Sequence, residues 1–394
     1  MHIVLIMKDK ILILAADLEQ VLPIARSLYD KGFEIHGIFS SKLSYGYGSR
    51  YIKRKYIHQN AVEIEDYYLF IKSVLQKERY VSIIPMRDSA AEVMCKYRDD
   101  LLQYTAYVMP DADGFERGFD KQRLMEVCKM HGYPHPETYI VRNGSLCGLD
   151  IEEIRYPVLI KPNHTFGARG MTLCRNKDEL EKKYPIIFNQ FGECHLQTYI
   201  PEGGHQVEVQ IYINEKQELV QSSVIKKFRW YPNKGGSSCC NISCKNEKIV
   251  DICYKVLKSI GWVGFADFDT IEDPRTGELL IMEINPRVPA CVKSAFASGI
   301  DWADVIVGEY LKKSHKVYQM NREVYLRFLG VEVLWFLKSE NKWHTKPNWF
   351  NFFGKDIFYQ DMSDWTDPMP FIRGTIGNIK KQLSPEFRKS KAGV

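Results

Sequence analysis

The 394-residue sequence contains no apolar run approaching the ~20 residues that a membrane-spanning helix needs. Its opening, "MHIVLIMKDKILIL", is apolar but has neither a basic leading region nor a small-residue cleavage site, so no signal peptide is read there. Met7 is an alternative start, because "MKDKILILAAD" opens naturally into a first strand. The phosphate-loop pattern GxxxxGK[ST] is missing, and so is the dinucleotide fingerprint GxGxxG. The ten cysteines form no CxxC pair. "CCNISC" (Cys239, Cys240, Cys244) has no histidine cluster near it, which favours reduced thiols in the cytoplasm over zinc. The net charge of +5 is too small and too spread to imply nucleic acid. Only the tail "GNIKKQLSPEFRKSKAGV" concentrates charge, with Lys380, Lys381, Arg388, Lys389 and Lys391 against Glu386. That is the composition of a solvated chain end, with an acidic partner or membrane surface as the alternative.

What is present is a globular composition, 45% hydrophobic and 13% aromatic, in a chain long enough for two or three domains. "KILILAADLEQVLPIARSLYDKGFEIHGIFSS" reads strand, helix, strand, with strands near Ile11–Ala15 and Phe33–Phe39 and Gly32 stopping the helix. A further strand, "YVSIIP", ends at Pro85 and leads into a helix. Ligands of open α/β sheets bind beyond the carboxyl ends of the strands, which makes Arg87 and Asp88 candidate substrate contacts. Asp88 is equally suited to be a helix N-cap. A helix from about Lys121 to His131 marks a boundary near residue 115. Strands near 157–161, 171–174, 195–199, 207–213 and 219–226 and a helix near 247–259 then suggest α+β lobes. Residues 311–394 read as an irregular, aromatic-rich segment wrapping the body.

"GFADFDTIEDPRTGELLIMEINPR" reads as a hairpin with arms Gly264–Thr270 and Leu279–Asn285. A three-residue loop Arg275-Thr276-Gly277, with Gly277 left-handed, joins them. In that register Asp269 faces Glu283 and Asp267 faces Asn285. Leu279, Ile281, Glu283 and Asn285 share one face, which turns polar as the strand leaves the core. Facing carboxylates repel unless a cation separates them, and oxygen ligands suit a hard divalent ion. Asp269, Glu283 and Asn285 are therefore the candidate metal ligands, and Arg287 just beyond is placed for an anion.

"YPVLIKPNHTFGARGMTLC" places Lys161 at the end of a buried strand. A loop with Gly167 and Gly170 follows, and glycines let backbone N–H groups approach phosphate closely. An ordinary hairpin turn is the alternative. "KKFRWYPNKGG" offers Lys226, Lys227 and Arg229 to a substrate carboxylate, or is a solvated loop.

These parts in this order resemble the ATP-grasp superfamily. The matching residues are Lys121 in "DK", Lys161 with "NHTFGARGM", "HLQTYIPEGGHQVEVQI", and "ADFD" followed by "MEINPR". The resemblance implies α/β plus α+β architecture: a Rossmann-like pre-ATP-grasp domain (1–114), then a two-lobed ATP-grasp domain (115–310; small lobe about 120–200, large lobe about 201–310) and the wrapping segment 311–394. It implies ATP and Mg²⁺ (or Mn²⁺) between the lobes. Lys121 and Lys161 would meet the phosphates, and the loop Asn163–Met171, with His164, Gly167, Arg169 and Gly170, would close over them. Gln197, Thr198, Tyr199 and Ile200 would form the adenine hinge, and Gln206 and Glu208 would contact ribose. Asp269, Glu283 and Asn285 would hold the metal, and Arg287, Lys161 and Asn285 would serve the chemistry. Two departures stand out. Gln197 replaces a common Glu, although its carbonyl can accept the same bond. The loop is also poorer in glycine than in carbamoyl-phosphate synthases. The activity implied is a cytoplasmic, ADP-forming ligase that joins a small-molecule carboxylate to an amine through an acyl phosphate, with homodimerisation open. The alternatives are a non-catalytic ATP-binding regulator, or a carboxylase or carbamoyl-phosphate-synthase-like subunit acting on bicarbonate. Biotin carboxylases carry "QVEH" after "NPR", where this chain has "VPAC".

Overall fold

The computed structural model describes residues 8–59, 63–165, 169–231, 237–340, 342–362 and 364–383. Met7, Gly167 and the basic residues beyond 383 lie outside them. β1 (Lys10–Leu14), β2 (Glu34–Phe39), β3 (Ile52–Ile57) and β4 (Ser82–Pro85) form a parallel sheet of order β3-β2-β1-β4. Ile11 to Leu14 are fully buried, as a strand with both faces covered requires. The helix Val21–Asp30 connects β1 to β2, and Gly32, at φ +92°, turns the chain back into the sheet. After β4 the helix Asp88–Lys96 begins one residue earlier than an Asp88 cap allows. Arg87 holds the N-cap position, so the Asp88 carboxylate is free for another partner.

Asp120 caps the helix Lys121–His131 by accepting from the Arg123 N–H, and Gly132 ends it in a left-handed conformation. A small antiparallel sheet follows, from β5 (Thr138–Tyr139), β6 (Val158–Pro162), β7 (Thr172–Cys174) and β8 (Cys194–Thr198), in the order β5-β8-β6-β7. Val158, Ile160, Leu196, Leu180 and Tyr184 give it its own core.

The large sheet contains β9 (Gln206–Ile213), β10 (Leu219–Tyr231), β11 (Ser237–Cys244), β12 (Gly264–Glu272) and β13 (Leu279–Asn285). Two short strands from the last quarter of the chain, β14 (Tyr325–Arg327) and β15 (Ile357–Tyr359), extend it to seven, in the order β13-β12-β9-β10-β11-β14-β15. Its core is continuous with that of the parallel sheet.

Two expectations are corrected here. The stretch Lys226–Tyr231 is the end of a long strand, paired on both sides where partners reach it, and not a loop. Residues after 311 are more regular than read: besides β14 and β15 they form the helices Leu329–Lys338 and Met369–Leu383. The second of these returns to the N-terminal unit, where Asn378 donates to the Tyr45 hydroxyl at 3.0 Å. Ser49 donates to Asp367 at 2.8 Å nearby.

Candidate active site

The hairpin β12–β13 has the register read from the sequence at its polar end, with Asp269 opposite Glu283 and Asp267 opposite Asn285. It gets there by two offsets that cancel. Asp273 and Glu278 bracket a four-residue loop, one longer than expected, and the pairs next to it are shifted by one residue. A bulge between Asp269 and Thr270, where Met282 is the extra residue, restores the register. It also breaks the uninterrupted alternation assumed for Leu279 to Asn285.

β9 lies on the other side of β12, with Glu208 opposite Asp269 and Gln210 opposite Asp267. Two rows of polar residues therefore cross three strands: Glu208, Asp269, Glu283 and Gln210, Asp267, Asn285. Asn285 Nδ2 stands 3.3 Å from both Asp269 Oδ2 and Asp267 Oδ2. Asp267 Oδ1 is buried and has no hydrogen-bond partner. Burial, and then the Glu208 and Asp269 charges, push the Asp267 carboxyl well above the usual range.

Cations surround this acidic floor. Lys227 Nζ lies 2.7 Å from Asp269 Oδ1 and 3.1 Å from Glu208 Oε2. Burial disfavours charge on Asp269, but Lys227 outweighs it and holds the carboxyl below its ordinary value. Arg287 Nε reaches Asp88 Oδ1 at 3.1 Å, and its Nη2 donates to Asn285 Oδ1 at 3.2 Å. From the small-sheet side, Lys121 Nζ lies 3.4 Å from Glu283 Oε2 and donates to the Thr165 carbonyl at 2.9 Å. Lys161, on β6, donates to Gln197 Oε1 at 2.9 Å, with both side chains buried. Burial is the main cause that lowers its pKa to about 8; Glu283 opposes this and Lys121 adds to it.

A family model described as the carbamoyl-phosphate synthase L chain ATP-binding domain matches residues 120–311. The D-aspartate ligase of Enterococcus faecium is 27% identical over 243 residues, 56% of this chain and 58% of that protein. Biotin carboxylase from Campylobacter jejuni superposes with a TM-score of 0.67 at 18% identity, covering 80% of this chain and 74% of that one. An L-amino acid ligase from Bacillus licheniformis does so with a TM-score of 0.61 at 13% identity, covering 81% and 79%. Residues 120–311 match an ATP-binding domain of the ATP-grasp superfamily, and the fold is that of ATP-grasp proteins. It spans 58% of the D-aspartate ligase's length and between 22% and 46% of three other curated relatives.

Within this ATP-grasp fold the remaining candidates fall into three groups. Gln197 to Ile200 run from the end of β8 into the connection to β9; the Thr198 N–H donates to Glu137 O and the Tyr199 N–H to Pro157 O. Gln206 opens β9, opposite Lys227. Arg87 follows β4, and its Nε is buried without a partner. At the loop's start His164 pairs with Asp120 at 2.9 Å, and at its far end Arg169 is exposed. Gly170 is required by packing and by its backbone conformation. At φ +75°, a Cβ there would stand 2.7 Å from the Phe191 ring.

Two candidates are not brought to the acidic floor. Lys226 points its ammonium over the Phe228 ring, 6.0 Å from the centroid. Arg229 is buried elsewhere, with Nη2 2.6 Å from Glu332 and Nη1 donating to the Pro347 carbonyl. The cause is a pair of irregularities in the β10–β11 ladder on either side of Arg229. Of the three basic residues in this stretch, Lys227 is the one that reaches the floor, where carboxylates of the protein already engage it. Alternation along β10 beside Glu208 was the available signal, but it needed the β9–β10 register.

Proposed function

We propose that the chain is an ATP-dependent carboxylate–amine ligase, forming an amide or peptide bond through an acyl phosphate and releasing ADP and phosphate. The observation that carries this reading is the opposition of two oxygen-rich rows on β9, β12 and β13 to Lys121 and Lys161 from the small lobe. The parallel sheet serves as the pre-ATP-grasp, Rossmann-like domain (1–114), and β5–β8 with β9–β13 as the small and large lobes.

The residues fit a divalent ion. Asp269, Glu283 and Asn285 supply hard oxygen donors on adjacent strands, and beside them the buried Asp267 Oδ1 has no hydrogen-bond partner, so the protein itself does not satisfy every carboxyl oxygen of the cluster. When bound, Mg²⁺ would offset the charge of the polyphosphate. Lys121 and Lys161 hold the phosphates; Gln197 to Ile200 hold the adenine and Gln206 the ribose. Glu208 is engaged by Lys227 and belongs with the acidic row. Arg287, fixed by Asp88 and Asn285, orients the carboxylate for in-line attack and then stabilises the acyl phosphate. Arg87, two residues beyond β4, offers a guanidinium to the substrate. The loop 163–171 excludes water from the mixed anhydride. All ten cysteines are free thiols, which suits a reducing cytoplasm.

The D-aspartate ligase relative puts amino acids first among substrates to try. The test is release of ADP and phosphate across pairs of carboxylates and amines. ADP formation dependent on both members of a pair supports the ligase. AMP and pyrophosphate as products would mean adenylation. ATP binding without turnover across the whole screen would make the chain a regulator.

A further inference from the structure

We propose that Gln197 is a positioning residue that holds Lys161 with a neutral acceptor, so that the lysine's charge is met by the nucleotide's phosphates and not by a protein carboxylate. Lys161 is buried on β6, its Nζ 2.9 Å from Gln197 Oε1 on the adjacent strand β8. The amide is orientated by its other end, since Gln197 Nε2 points to Thr138 Oγ1 on β5, 3.4 Å away. Among the described residues no carboxylate lies within ion-pair distance of Lys161. The charged or titratable groups facing it are few. On β8 there is His195, opposite it in the ladder and tied to Asn163 at 2.9 Å. From the helix Lys121–His131 comes Lys121, and from the large sheet Asp269 and Glu283 act at longer range. Burial and the neighbouring Lys161 keep His195 neutral, its pKa well below the ordinary value.

A buried ammonium with one neutral partner loses its proton easily. Burial brings Lys161 down to about 8. A phosphate arriving beside it restores the charged form, so binding takes up a proton whenever the free protein has lost one. Above that pH nucleotide affinity should fall; at pH 9 linkage gives about a tenfold loss relative to pH 7. A glutamate at position 197 would supply the missing countercharge and keep Lys161 protonated throughout this range. The inference rests on the ATP reading above for its binding arm only.

The test has two arms. In the first, the nucleotide-free protein carries ¹³C-labelled lysines, and Lys161 is assigned by its absence from Lys161→Gln. A midpoint near 8 in the wild type is expected, moving above about 10 in Gln197→Glu. In Gln197→Met, which removes the acceptor, the midpoint should drop below the wild-type value. A wild-type midpoint near the ordinary ~10.4 overturns the proposal, as does a midpoint unchanged in both variants. In the second arm, calorimetry measures a nonhydrolysable ATP analogue at fixed Mg²⁺ between about pH 7 and 9. A tenfold weakening in the wild type and a flat profile in Gln197→Glu support it; equal slopes overturn it. If the analogue binds at no pH while the lysine titration is as expected, the ATP reading fails and the Lys161–Gln197 pairing stands.

Discussion

Lys161 on the small sheet and Lys227 on the large sheet are both buried, and their partners differ in kind. Lys227 sits between two carboxylates, Asp269 and Glu208, which raise its pKa far above the ordinary value against the opposing effect of burial. Lys161 has an amide, and burial prevails. A lysine compensated by the protein organises the floor and keeps its charge at any physiological pH. A lysine left without a countercharge is a standing cost to the fold that a polyanionic ligand can relieve. Arg229 and Arg287 are both compensated by carboxylates, as Lys227 is, but in different places. Arg229 is closed into a buried network with Glu332, whereas Arg287 bridges Asp88 and Asn285 at the edge of the acidic rows.

The comparison breaks first at Lys227. Lys227→Met leaves buried Glu208 and half-buried Asp269 without their cation, and should destabilise the protein by about 2–3 kcal/mol, below the ~3–5 kcal/mol of a fully buried pair because Asp269 reaches solvent. Urea melts at neutral pH check this; a loss below about 1 kcal/mol would mean that the pair is dispensable. Lys161→Met should act in the opposite direction. The unfolded chain holds that proton up to ~10.4 and the folded chain only to about 8, so below pH 8 the charge costs stability. The variant should gain about 1–3 kcal/mol at pH 7, with the gain vanishing as pH rises towards 10. It should also bind ATP about ten- to a hundredfold more weakly, because a charge-assisted contact is gone. Thermal melts across pH, paired with nucleotide titration, decide both halves. The smallest change in stability is expected at Glu283, whose ion pair to Lys121 is partly exposed. Glu283→Gln should alter stability by no more than about 1 kcal/mol and yet abolish turnover. Near-normal turnover in that variant would remove the metal assignment.

Much of this site was legible because it is local. The polar end of β12–β13 needs only a turn and a period of two, and it came out in register although the loop length and the bulge at Met282 were both missed. The helix Lys121–His131 was legible from its Gly132 stop. What escaped depends on pairing between distant segments. Lys226, Lys227 and Arg229 stand together in the sequence, and only the ladders separate them: the β9–β10 ladder brings Lys227 to the site, and Arg229 leaves it at irregularities in the β10–β11 ladder. β14 and β15 are three residues each, too short to show a period. Gly170 was read as a phosphate-approach residue, and its left-handed φ and the nearby Phe191 ring add a packing reason that sequence alone does not carry.

The most direct test of the account is the fate of oxygen. With a carboxylate substrate labelled with ¹⁸O, and the amine partner found by the substrate screen, attack on the γ-phosphorus carries one labelled oxygen into the phosphate released. Mass spectrometry of that phosphate should show one ¹⁸O per turnover. Unlabelled phosphate, with the label retained in the product or in AMP, would contradict an acyl phosphate and with it the role given to Arg287 and the acidic rows.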